Sequence, residues 1–192
     1  MNTTFTRRRV SSALAAAALA VSFGAFAPHA SAAEADAPFG PGCAALPQEG
    51  AGSAADMADD PVATAASNNP ALSTLAAAVE KAGLVDTLNE AEDITVFAPT
   101  DEAFAKIPKA DLDKVLADKA TLTEILTYHV VDEPVDKADL ADGSFKTLQG
   151  GTLTTDGSGD AYKVNDTATV VCGDVQTSNA TVHVIDTVLM PK

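Results

Sequence analysis

The chain has 192 residues, a formal charge of −15, and 27 aspartates and glutamates against 12 lysines and arginines. That balance repels nucleic acid and anionic lipid headgroups, so neither is an expected partner. Arg7, Arg8 and Arg9 are the only arginines, and everything after them lacks the planar fork that reads phosphate and carboxylate bidentately.

Those arginines form the basic start of an export signal. An apolar run follows from Val10 to about Phe26, and Ala30-Ser31-Ala32 supplies a small-residue cleavage pattern. Residues 1–32 are therefore expected to be a cleaved signal peptide. Thr6-Arg7-Arg8-Arg9 leaves the twin-arginine route open beside the general one. The apolar run is too short and too rich in alanine for a stable span, and nothing later is long enough, so no membrane span is expected. Removal of the signal strips three positive charges and takes the formal charge from −15 to −18. Such acidity keeps an exported protein soluble; the sharper reading is a surface for cations or a basic partner. The remaining length suits one domain with one sizeable core.

The next stretch, residues 33–58, is rich in Ala, Gly and Pro, shows no period and reads as an N-terminal arm or linker. It carries Cys43, one of two cysteines; the other is Cys172. Export places both where disulfides persist, so pairing is the default. A bridge closing so long a loop is worth at most about 5 kcal/mol on the chain-entropy model. The alternative is a lipid anchor on Cys43, but Phe39-Gly40-Pro41-Gly42 is not the apolar-then-small run that such a signal needs.

Residues 59–192 are expected to form the folded domain. Asp60-Pro61 and Asn69-Pro70 each place a capping side chain before a proline that can open a helix. Leu72, Leu75, Ala76 and Val79 share one face of the helix after Asn69, and Gly83 ends it. A short buried strand, Ile94 to Phe97, precedes Thr100, which reads as the N-cap of a helix whose Phe104 and Ile107 face inward. Pro108 stops that helix. A further helix carries Leu112, Val115 and Leu116. Another opens with a Thr121–Glu124 capping box and carries Leu122, Ile125, Leu126, His129 and Val130 on one stripe. From about Ser144 the period changes to short strands and turns, with a last strand from Thr181 to Met190. Helices first and strands afterwards predict an α+β layer fold.

Three stretches carry a resemblance. TVFAPTDEAF (95–104), ILTYHVV (125–131) and VHVIDTVLMP (182–191) resemble, in order and spacing, the signature blocks of fasciclin domains. The arm and the two cysteines further resemble the small secreted fasciclin antigens of mycobacteria, in which one bridge ties arm to domain. The resemblance implies a fasciclin-like fold: a compact, antiparallel-rich sheet wedge braced by several short helices. It also implies an extracellular binding or adhesion role. In adhesive fasciclin domains the Tyr-His pair and its apolar neighbours are implicated in integrin binding. Carried over, that points to Tyr128, His129, Leu126 and Val130 as binding residues.

The residues themselves admit a plainer reading. His129 on an apolar stripe is expected to be buried, neutral and hydrogen-bonded, and Tyr128 can equally belong to the packing between helix and sheet. His183, the other histidine past the signal, is too isolated in sequence to make a metal pattern with it. Asp156, Ser158 and Asp160 begin like a calcium loop, but Thr167 stands where the bidentate glutamate belongs, so a hairpin is expected. Asn165-Asp166-Thr167 and Asn179-Ala180-Thr181 are glycosylation sequons in form only, in a chain with a bacterial-looking signal. No nucleophile elbow, zinc-protease helix or phosphate loop is present. No catalytic residue, metal or cofactor is expected. The expected partner is an extracellular protein or cell-envelope component, met by a monomer. A carrier of a small lipid, glycan or pigment is the alternative, and a carboxylate hydrolase a distant third.

Overall fold

The computed structural model describes residues 37–47 and 49–191. The expected signal peptide, 1–32, lies outside the described residues, as does the start of the arm. All described residues fall in one contact unit, Glu34–Lys192.

Among the described residues seven α-helices, the first in the arm, all lie before residue 129, as the change of period implied. They are α1 (Ala54–Met57), α2 (Val62–Asn68), α3 (Ser73–Ala82), α4 (Val85–Glu90), α5 (Asp101–Ala105), α6 (Lys109–Ala117) and α7 (Lys119–Tyr128). Seven strands make one sheet: β1 (Ile94–Pro99), β2 (Val130–Val131), β3 (Asp142–Lys146), β4 (Thr152–Ser158), β5 (Ala161–Val164), β6 (Ala168–Gln176) and β7 (Ala180–Ile185). Their spatial order is β2-β1-β7-β6-β5-β4-β3. Only β1 and β7 pair in parallel; every other neighbour is antiparallel. The two edges nearly meet: Val131 bridges Thr147, and the amide of Leu148 donates to the carbonyl of Val130 at 2.8 Å. The sheet is thus almost a closed barrel, which leaves little unpaired edge.

Two apolar cores result. Along β1, Ile94, Val96 and Ala98 pack toward the helices with Leu75, Val79, Leu122, Leu126 and Val184. Phe97 points the other way, into the curl of the sheet, with Val131, Leu153, Tyr162 and Ile185. Both β1 and β7 are buried at every position, which explains their continuous apolar runs, whereas β5 alternates exposed and buried.

Several local expectations hold. Thr100 caps α5 by accepting from the Ala103 amide, Asn69 accepts from the Ala71 amide, and Gly83 ends α3 at φ 72. Asp156–Asp160 is the β4–β5 hairpin, with Asp160 held by Lys137 at 2.7 Å.

Others need correction. Asp60 does not cap α2; the Val62 amide donates to Oδ1 of Asn179 at 2.8 Å, from 117 residues away. Asn179 also donates to the carbonyls of Leu88 and Ala91, so one amide side chain ties α2 and the end of α4 to the start of β7. The cap of α7 is Asp118, which accepts from the Ala120 amide and the Thr121 hydroxyl. Thr121 sits inside the first turn, and Asp118 both closes α6 and opens α7. Val130 belongs to β2 and not to the helical stripe. The last strand ends at Ile185, because Asp186 turns back to exchange hydrogen bonds with Thr169.

The arm is also more structured than its composition suggests. Phe39 forms an antiparallel bridge with Gly173, residues 41–45 make a 3-10 turn, and Met57 in α1 is buried. The Phe39 ring lies edge-on to Tyr162, with the Lys137 ammonium 4.5 Å from its centroid. Cys43 and Cys172 form a disulfide across a sequence separation of 129 residues. That bond rules out lipidation of Cys43.

Candidate functional site

The three motif blocks, far apart in the chain, become neighbours in space. Strand β1 of the first block pairs with β2 of the second (Val96 opposite Val130) and with β7 of the third (Val96 opposite Val182). Tyr128 and His129 lie where α7 passes into β2, at the centre of this arrangement.

Because the helix ends between them, the two side chains diverge. Tyr128 enters the core inside the sheet, while Leu126 and Val130 join the core under the helices. The Tyr128 hydroxyl donates to the carbonyl of Thr152 at 3.1 Å and accepts from the Asn165 side-chain amide at 3.0 Å. Asn165 adopts the left-handed conformation, φ 51, and its Oδ1 accepts from the Thr154 amide. Gly151 lies against the Tyr128 ring so closely that a Cβ would stand 2.9 Å from Cε2.

His129 is 2% exposed. Its Nε2 accepts from the Leu189 amide at 2.9 Å, so Nδ1 carries the proton and donates to the carbonyl of Ile125 at 2.8 Å. His183 uses the opposite tautomer: Nδ1 accepts from the Asp174 amide at 3.2 Å, and Nε2 donates to the carbonyl of Val135 at 2.8 Å. Burial drives both rings' pKa down to about 4, against the weaker upward pull of the carbonyls. Both are neutral at pH 7, with each nitrogen committed to backbone. Such rings are braces and have no free nitrogen for a metal or a substrate.

All four residues carried over from the resemblance, Leu126, Tyr128, His129 and Val130, are therefore buried. Around Leu126 and His129 lie two apolar gaps of about 20 and 30 Å³, each near the size of one water. Among the described residues no three His, Cys, Asp or Glu side chains converge as a metal site requires. No helix among them is long and apolar enough to cross a membrane. Sequence reasoning missed Asn165 and Asn179 as structural polar residues. Their signal was present as a left-handed-prone Asn at a turn and an Asn just before a strand, but both were read as sequons.

A curled, mainly antiparallel sheet, braced by helices and locked by a buried Tyr-His pair, defines a FAS1-type module. The chain belongs to the fasciclin domain family: the family model described as Fasciclin domain matches residues 70–191. The cell surface glycolipoprotein MPB83 of Mycobacterium bovis is 51% identical over 160 residues, spanning 79% of this chain and 71% of that protein. The immunogenic protein MPB70 of the same species is 49% identical over 160 residues, spanning 79% of this chain and 81% of that one. Protein sll1483 of Synechocystis is 42% identical over 128 residues. Among solved structures, the FAS1 domain pair from the insect cell adhesion molecule Fasciclin I matches with a TM-score of 0.52 at 22% identity, which shows the fold alone. That match covers 62% of this chain and 45% of the domain pair.

Proposed function

We propose that this protein is a secreted, non-enzymatic binding and adhesion module that engages another extracellular protein or a cell-envelope component. One observation carries the reading: every polar atom of the Tyr128 and His129 side chains is spent on internal hydrogen bonds. The pair stiffens the domain from beneath, and recognition falls to the exposed surface above it. Secretion is supported by the basic-then-apolar N-terminal segment, by a disulfide suited to an oxidising compartment, and by relatives named as cell surface and immunogenic proteins. In this reading residues 1–32 are removed, 33–58 form the arm and 59–192 the fasciclin domain, and the protein acts as a monomer. The carrier reading has less support: the apolar gaps beside His129 are each near the size of one water, and the larger groove lined by the arm and the start of α5 is bordered by Asp101, Glu102 and Asp186.

The test is retention of the purified chain, disulfide intact, on cell-envelope fractions and on immobilised extracellular matrix. Saturable retention that persists in Tyr128→Phe is expected. Loss of retention in a Tyr128→Phe variant that keeps its fold would show that the hydroxyl touches the partner. Absence of retention on every fraction, with a small molecule carried through purification and seen by native mass spectrometry, would favour the carrier.

A further inference from the structure

The disulfide does more than pin the arm. The 3-10 turn Pro41–Ala45 lies beside β6 and forms one wall of a groove of about 440 Å³, within the usual range for ligand clefts, about 300–1,000 Å³. Its floor is apolar: Val171 and Ala71 are half-buried, Leu46 and Val184 buried. Asp101 and Glu102, at the start of α5, and Asp186, just after β7, also line it.

The rim carries three carboxylates and one nearby ammonium, Lys106, which pairs with Asp186 at 3.2 Å. Asp101 and Glu102 make no ion pair among the described residues. The carboxylates do not converge on a point as they would for a metal ion. Asp101 is occupied by the Ser73 hydroxyl and the Thr74 amide, and Asp186 by the Thr169 amide and Lys106. Burial raises the pKa of Asp101 and of Asp186, but these hydrogen bonds outweigh it and hold both below the usual carboxylate range. Their charge therefore persists, while part of their acceptor capacity is used within the fold. Negative potential spread over an apolar floor suits a cation on a side chain flanked by an apolar residue.

We infer that this groove is a docking surface for an extended, lysine- or arginine-bearing segment of a basic partner protein, which lays an apolar side chain on Val171 and Ala71. The inference rests on the reading of the chain as a binding module, and it names the face and the chemistry of the partner. The arm then has a functional reason to be covalently fixed, because Cys43–Cys172 adds a covalent tether within the groove wall itself to the Phe39–Gly173 bridge that also holds the arm on β6.

The test uses the full chain, ¹⁵N-labelled with its disulfide intact, titrated with a capped Lys-Val-Lys-Val-Lys peptide and with its Glu-Val-Glu-Val-Glu counterpart. The basic peptide is expected to move the amide signals of Ala45, Ala71, Glu102 and Val171 saturably, and the acidic one to move none. Ala45→Lys and Glu102→Lys, both at exposed positions, are expected to weaken binding at least tenfold without altering the rest of the spectrum. Shifts scattered over the acidic surface, or binding unchanged in both variants, would overturn the proposal. The two readings fail separately. Full retention of both variants on the envelope or matrix fraction that holds the parent removes the groove and leaves the module. A parent chain retained on nothing removes the module itself.

Discussion

The backbone amide of Leu189 donates a 2.9 Å hydrogen bond to Nε2 of His129, across 60 residues of chain. Two residues before His129 in α7, the carbonyl of Thr127 accepts from Gln149, and the carbonyl of His129 itself accepts from the Phe97 amide. The end of one helix thus holds the first strand, the last segment and the closing seam of the sheet. Its imidazole can serve only while neutral, since a protonated Nε2 cannot accept.

Acid should therefore weaken the fold. Histidine ordinarily titrates at 6.5, whereas His129 and His183 are held down to about 4. Between those values the unfolded chain takes up protons that the folded chain refuses. Stability is whole above pH 6.5, declines as pH falls, and has lost about 3 kcal/mol per ring by pH 4. The depressed Asp101 and Asp186 carboxyls add a loss of the same sign at lower pH. Urea midpoints at pH 7.5 and pH 4.5 should differ clearly. Ring-proton NMR signals of both histidines should stay flat from pH 8 to 5, and a ring titrating near 6.5 would contradict the burial described.

Removing the Tyr128 hydroxyl leaves the Thr152 carbonyl and the Asn165 amide short of a partner. Tyr128→Phe should cost about 1–2 kcal/mol in urea denaturation. Tyr128→Ala adds a cavity and should cost about 3–5 kcal/mol. Equal, negligible effects would mean that the ring is not packed as described.

Asn179→Ala strips the cap of α2 and two carbonyl contacts at once. A loss of about 2–3 kcal/mol is expected, against less than about 1 for Asp60→Ala, whose side chain accepts a surface hydrogen bond from Asn68. Thermal melts of the two variants side by side decide which residue caps the helix.

The arm should respond to its own two anchors. A Cys43→Ser, Cys172→Ser double variant loses a closure across 129 residues, worth up to about 5 kcal/mol on the chain-entropy model. A Cβ at Gly173 would run into the Phe39 ring. Gly173→Ala should therefore push the ring out even with the disulfide intact, and amide exchange at Phe39 should accelerate. Slow exchange unchanged in that variant would show that the ring finds room.

Elements set by neighbours in sequence were legible in advance. Thr100 before Asp101, Gly83 after an apolar stripe, and the glycine-rich turn between β4 and β5 act within a few residues, so their local chemistry suffices. The cap of α7 was a local ambiguity, since Asp118 closes α6 and opens α7 at once; the other misreadings arose where the partner came from afar. Asp60 looked like a cap because it precedes Pro61, but Asn179 reaches in and satisfies the amide first. Val130 fitted the helical stripe of Leu126, yet its pairing opposite Val96 pulls it into a strand.

Composition, apolar period and three short blocks were enough to determine an acidic α+β chain of the fasciclin type with two cysteines suited to pairing. The apolar stripe already implied a buried, neutral His129; only the tertiary structure decided that Tyr128 also faces inward, that the blocks lie side by side, and that residues of the arm and of α5 line one groove. The reason is physical: burial, tautomer and charge environment depend on which distant surfaces meet, and a residue's immediate neighbours carry no record of that.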